Sequence, residues 1–266
     1  MMKRIANLLG IVLPILILLC FALSFLAEPN NPGKTHITEK YAEASETYPL
    51  GTDALGRCEL SRLMEASKTT LGIVLLGASI VFVLGTALGL LFARTGDRIG
   101  VFSDSLLNAV TAIPPLAYLI ILIGIWGNSI PTMIVALTVS LILRMIKLVM
   151  TLTEEEYRKA YARCAFASGA GHFRILTVHI LPVILPQIVQ YICLSCSDMI
   201  LAISGFSFIG LSLGTSVIDW GSMLADARSA FSMRPALLYY PVALIFVSSL
   251  CFNLLGRRLE RRGARC

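Results

Sequence analysis

The chain has 266 residues, of which 56% are apolar and only 14% charged, a balance that excludes an ordinary soluble globular protein. Its formal charge of +6, from 22 Lys and Arg against 16 Asp and Glu, would point to nucleic acid in a soluble protein. With membrane lipid as the solvent for most residues, the positions of the basic residues matter more than their sum, and no nucleic-acid partner is expected.

Met1 to Arg4 and the uncharged stretch from Ile5 to Ala27 have the charge pattern of a signal peptide. The stretch is too long for one and lacks a small-x-small cleavage site, so residues 1–27 are expected to be a retained membrane helix. Residues 28–68 form a loop, and the next uncharged run, 69–93, is long enough to cross roughly 30 Å of hydrocarbon. From Ser105 to Leu143 no charge occurs, which is too long for one span; Gly127-Asn-Ser-Ile-Pro131 supplies turn chemistry that divides it into spans at 105–126 and 130–150. The run from Leu181 to Ile218 carries only Asp198, and its glycines at 205, 210 and 214 place a helix end near Ser204, giving a span at 183–204. Residues 235–256 supply the last span, before a basic tail at 257–266. The expected fold class is an all-α membrane protein of about six transmembrane helices, with five of them forming a core at 69–256.

With both termini inside, the cytoplasmic pieces hold 15 Lys and Arg, among them Arg94, Arg98, Arg144, Lys147, Arg158, Lys159, Arg163 and Arg174, and the outside holds seven. That bias predicts cytoplasmic termini and a multi-pass protein of the cell membrane. Seven cysteines (Cys20, Cys58, Cys164, Cys193, Cys196, Cys251 and Cys266), mostly in apolar runs, lack the spacing of a secreted disulfide framework and read as small packing residues.

The inner loop at 152–180 is the most informative soluble piece. Thr153 followed three residues later by Glu156 has the spacing of a capping box and predicts a helix start there. Glu154 with Arg158 and Glu155 with Lys159 make helical pairs four apart, while Tyr157, Tyr161, Cys164, Ala165 and Ser168 share another face. Gly169 can take the left-handed conformation that ends a helix, and a second short helix is expected from about His172 to Leu181-Pro182. By spacing alone this could be an amphipathic connector lying on lipid headgroups.

Three separated segments resemble the permease subunits of ATP-binding-cassette importers, and within them the dipeptide, oligopeptide and nickel permeases. Cys164-Ala165, Gly169 and Ile180-Leu181-Pro182 are similar to the family's cytoplasmic loop. Tyr48-Pro-Leu-Gly-Thr-Asp-Ala-Leu-Gly-Arg57 looks like its His-Pro-Leu-Gly-Thr-Asp-x-Leu-Gly-Arg segment. Gly205 to Gly214, followed by Asp219-Trp220-Gly221 and on to Arg228, is similar to the segment between its last two spans. Arg163, Val183 and Tyr48 depart from residues common in relatives, which leaves details of ATPase docking open.

The resemblance implies the membrane domain of a type I importer, with two cytoplasmic ATPase subunits, a second homologous permease and an extracytoplasmic substrate-binding protein as partners. It implies that Tyr161, Cys164, Ala165, Gly169, Ala170 and Arg174 meet an ATPase, and that Thr52, Asp53, Arg57 and Trp220 face the binding protein, although Gly51 and Gly56 could equally support neighbouring helices. No Gly-x-x-x-x-Gly-Lys-Ser/Thr string occurs; the nearest, Gly205 to Ser212, has Leu211 where the phosphate-gripping Lys must stand. The chain is therefore expected to bind no cofactor and not to be an enzyme, with ATP and Mg used by the partner subunits.

Asp198 inside a span would cost roughly 3 kcal/mol at the bilayer centre on an insertion scale. A translocation-path role, a helix–helix hydrogen bond and a position near the outer interface all remain open for it. Cys193, Cys196 and Met199 share a helical face and could assist a soft metal, but apolar packing is the favoured reading because a tight site would trap the ion. His36, His172 and His179 form no metal cluster and are read as structural. Ser168 to Arg174 and the Asp198-Met199 region lean to the nickel branch, so nickel or a metal chelate stands ahead of short peptides as cargo. Gly85-Thr-Ala-Leu-Gly89 has the spacing for close helix approach, within the subunit or against a second one. An ion-coupled secondary transporter would need more buried ionisable groups than Asp198, and a membrane enzyme would need a catalytic set that the spans, which contain no His, do not offer.

Overall fold

The computed structural model describes residues 30–93, 112–211 and 217–263, with isolated positions 12, 14, 16, 17, 105, 108 and 109. The expected first span, Arg94, Arg98 and most of residues 105–111 lie outside the described residues. The described chain is helical: α1 (Glu59–Phe92), α2 (Pro115–Trp126), α3 (Ile130–Tyr157), α4 (Ala160–Ala167), α5 (His172–Phe208), α6 (Trp220–Ala230) and α7 (Ala236–Gly263). The one extended pairing among the described residues is a single antiparallel bridge between Thr52 and Cys58. Four helices, α1, α3, α5 and α7, are long and apolar enough to cross a membrane.

These helices are longer than the uncharged runs from which spans were expected. α1 starts at Glu59, ten residues before the apolar run. Its 34 residues make a rod of about 51 Å against about 30 Å of hydrocarbon, so its charged first turns, with Glu59, Arg62, Glu65 and Lys68, project beyond the span. α3 continues to Tyr157, which removes the expected helix start at Thr153: that residue is fully buried in the helix interior, and the break comes at Arg158-Lys159. The second loop helix and the fifth span are one helix, α5, joined by a wide π-type turn at Ile175–Ile180. Its end is at Phe208, not near Ser204. The amides of Gly210 and Leu211 bond back to the carbonyls of Ser207 and Phe206 (both 3.1 Å) and close the last turn.

The fold divides into two compact units. The first contains the described parts of 1–75, 127–133 and 196–253. Its buried side chains include Trp220, Met223, Met199, Ile200 and Ile203, with a cluster of Ala227, Ala230 and Leu237 against which Tyr41 and Leu238 pack. The second contains the described parts of 76–126, 134–195 and 254–266. Here the two glycines of the close-approach motif receive α3: a Cβ on Gly85 would stand 2.5 Å from Met145 Cγ, and one on Gly89 would stand 2.6 Å from Val149 Cβ. The motif is thus used within the subunit. Ile180, Ile184 and Ile188, four residues apart, form a fully buried stripe on α5.

Candidate functional site: an outer ion cluster and an inner docking loop

In the first unit, the stretch from Tyr48 to Arg57 folds into a tight loop held mainly by Asp53. Its Oδ1 accepts the amides of Leu55 (2.8 Å) and Arg57 (2.9 Å), and its Oδ2 accepts Arg57 Nε (2.7 Å) and Arg62 Nη1. Burial pushes this carboxyl up. The Arg57 amide and the charges of Arg62 and Arg57 outweigh that, and together hold it below the usual carboxylate range. Gly56 is needed on two counts: its φ is +72°, and a Cβ there would meet the His36 carbonyl oxygen at 1.8 Å.

The loop is fastened to α6 through Asp226, whose Oδ2 accepts Arg62 Nη2 (2.7 Å) and Arg57 Nη2 (3.2 Å). The start of α6 explains Asp219-Trp220-Gly221 residue by residue. Asp219 caps the helix, accepting the amides of Gly221 (2.9 Å) and Ser222 (3.4 Å), while Ser222 Oγ accepts the Asp219 amide. Burial raises the Asp219 carboxyl despite these bonds. Trp220 is 1% exposed and its Nε1 donates to Ser67 Oγ at 3.1 Å. Gly221 lies on α5, where a Cβ would come within 2.2 Å of the Ser204 carbonyl oxygen.

Of the four residues expected to face a binding protein, Thr52, Asp53 and Trp220 are therefore buried in this chain, and Arg57 is partly so. A protein docking here would meet the surface they support. Sequence reasoning assigns no role to Arg62, just past the first segment, or to Asp226, inside the third, the partners that join motif to motif across more than 160 residues.

In the second unit, α4, the turn at Gly169 and the start of α5 make the inner loop. Lys159, extended at the break, bonds Glu156 (2.6 Å) in place of the expected partner Glu155. Tyr161 donates to the other Glu156 oxygen at 2.8 Å, and burial together with this bond pushes its phenol up to about 12, so it remains a donor at neutral pH. Gly169, at φ +85°, closes α4: its amide reaches the Phe166 carbonyl (3.0 Å) and that of Ala170 reaches Ala165 (3.1 Å). Across the turn, the Phe166 and His172 rings lie 5.3 Å apart.

The loop so held presents Tyr161, Cys164, Gly169 and Arg174 as exposed groups, with Ala165 and Ala170 half-buried. Phe166 (57% exposed) and Phe173 (73%) add large apolar side chains that had not been singled out from the sequence.

The three residues considered for a path are separated by their own helix. Cys196 and Met199 are buried at 3% and 1%, whereas Asp198 is exposed. Beside it, Ser197 Oγ donates to the Ser249 carbonyl (2.9 Å) and accepts from Asn253 Nδ2 (3.0 Å). Among the described residues no group of three His, Cys, Asp or Glu is placed to hold a metal ion.

Residues 85–265 match the family described as "Binding-protein-dependent transport system inner membrane component", which takes in more than half of the chain. The chain belongs to this family. The permease is 34% identical over 226 residues to the peptide transport system permease protein SapC of Escherichia coli O6:H1, covering 84% of this chain and 74% of that one. It is 27% identical over 232 residues to the nickel transport system permease protein NikC of Escherichia coli (strain K12), covering 87% and 84%. Its fold matches a structure of the MetNI methionine ABC transporter in inward-facing conformations with a TM-score of 0.62 at 18% identity, over 76% of this permease and 95% of that chain. The permease is thus an inner membrane transport component with the helical fold of an ABC importer's membrane domain, not a catalytic subunit.

Proposed function

We propose that this permease forms half of the translocation pathway of an ATP-driven importer, and that α4, the Gly169 turn and the start of α5 dock on a separate ATPase subunit. The observation that carries this reading is the exposed apolar surface of Tyr161 and Phe166 on the short helix α4 and of Phe173 in the first turn of α5. Phe166 is anchored from behind by His172, and Tyr161 by Glu156, so the surface is ordered before any partner arrives. Closure of two ATPases around ATP and Mg would then be transmitted through α5, which is continuous from the loop into the span. The basic residues, 15 against seven with both termini inside, support a cytoplasmic position for this loop and the termini and an outer position for the Asp53 cluster, on the side of an extracytoplasmic binding protein. A second, homologous permease completes the pathway.

The cargo is nickel, as the ion or a chelate, or a short peptide, the two classes named for the relatives. Asp198 is the path residue of this reading; Cys196 and Met199, turned into the interior, are packing residues. An ion-coupled secondary transporter finds no support in the family or the relatives. The deciding experiment is ATP-driven uptake by the reconstituted importer carrying Gly169→Trp. Uptake falls to background while the variant still inserts and folds; full uptake would refute the docking assignment.

A further inference from the structure

The outer ion cluster is balanced except for one member. Arg57 and Arg62 are each shared between Asp53 and Asp226, so two guanidinium groups and two carboxylates neutralise one another. Glu59 lines the same cleft, of about 230 Å³, at 3% exposure, and its carboxylate makes no hydrogen bond or ion pair among the described residues. Its place in the first turn of α1 lets the helix dipole tolerate an acid. Burial pushes this carboxyl up to about 7 against the pull of the Arg62 and Arg57 charges, so Glu59 is only partly ionised at neutral pH and its charged form is the one an arriving cation would favour. The Nε of Arg62 beside it is likewise buried and unpaired.

We propose that this cleft receives a basic side chain, lysine or arginine, presented by the extracytoplasmic binding protein, with Glu59 as the counter-charge at its floor. This rests on the reading above that the Asp53 cluster faces that protein. An incoming anion would meet three carboxyl groups, Asp53, Asp226 and Glu59, two of which already neutralise the arginines. A cation would stabilise the ionised form of Glu59, the one carboxylate of the cleft with no basic side chain of its own in an ion pair. The cleft also has an apolar wall in Met223, Ala230 and Leu237, suited to the methylene stem of such a side chain. Asp226, half exposed at the side chain, stands at the cleft as a second acceptor for the arriving group.

The test uses the assembled importer in lipid nanodiscs with its own substrate-loaded binding protein, whose dissociation constant is measured for wild type and Glu59→Gln. The variant weakens binding roughly tenfold or more, and n-butylammonium, a mimic of the lysine side chain, competes in the wild type where n-butanol and butyrate do not. Equal affinities for the two proteins, or competition by butyrate in place of butylammonium, would overturn the proposal. If Glu59→Gln disturbs the fold, seen as a shift in Trp220 emission, butylammonium competition on the wild type decides alone. Loss of uptake in Gly169→Trp together with unchanged affinity in Glu59→Gln would overturn the cleft and leave the permease reading standing.

Discussion

At Gly221 helix α6 lies directly on α5, and the contact is backbone to backbone. A methyl group there would overlap the Ser204 carbonyl, which cannot turn aside as a flexible side chain would. Gly221→Ala should destabilise the permease by about 1–3 kcal/mol, the usual cost of overpacking. The two tryptophans allow a direct check: Trp126 is exposed and Trp220 buried, so a Trp126→Phe background leaves Trp220 as sole reporter, and its emission should shift to the red. Asp53 makes a complementary prediction. Asp53→Asn leaves Arg57 and Arg62 with Asp226 alone and should cost about 3 kcal/mol, the penalty for removing one partner of a buried pair. Because the folded carboxyl titrates below its ordinary value, its contribution is present above about pH 4 and is lost as pH falls through the folded value. The gap in thermal midpoint between wild type and Asp53→Asn should shrink as pH falls below about 4. A constant gap at all pH values would refute the assignment.

At the scale of elements, the inner loop is a pre-ordered surface, and its parts should separate under mutation. Phe173 is 73% exposed, so Phe173→Ser should leave the stability of the isolated permease within about 0.5 kcal/mol of wild type, while capture of the ATPase subunit by the tagged permease falls several-fold. Retained capture would place the interface elsewhere. The sequence revealed that a helix, a glycine turn and a second helix stand here, because a left-handed cap leaves a local mark. It misplaced the first helix start because Thr153 and Glu156 satisfy a capping pattern that burial of Thr153 in α3 overrides. It also marked Gly169 and the small residues but not the phenylalanines, since an apolar residue in an apolar chain carries no signal until its exposure is known. The outer site was half legible for a similar reason: Asp53, Arg57 and Trp220 stood in recognisable segments, but only the folded chain brings Arg62 and Asp226 together.

For the whole molecule, the open variable is cargo, and Asp198 is where the fold bears on it. A carboxylate exposed on a long apolar helix is unfavourable against hydrocarbon by roughly 3 kcal/mol, so its surroundings in the assembled importer must be protein or water. Its neighbours Ser197, Ser249 and Asn253 bond one another, which fixes α5 against α7 and keeps that face of the helix in a defined orientation. On a path shared with a second permease, a carboxylate favours a cation in transit, while the buried sulfurs of Cys196 and Met199 are out of its reach. Asp198→Asn keeps shape and hydrogen-bonding capacity and removes the charge. In the reconstituted importer it should lower ATP-driven nickel uptake about tenfold or more if nickel is carried as a bare cation, with ATP hydrolysis still stimulated by the loaded binding protein. A neutral chelate or a dipeptide would be affected far less, because its charge is already balanced within the ligand. Uptake of both cargo classes at wild-type rates would remove Asp198 from the path.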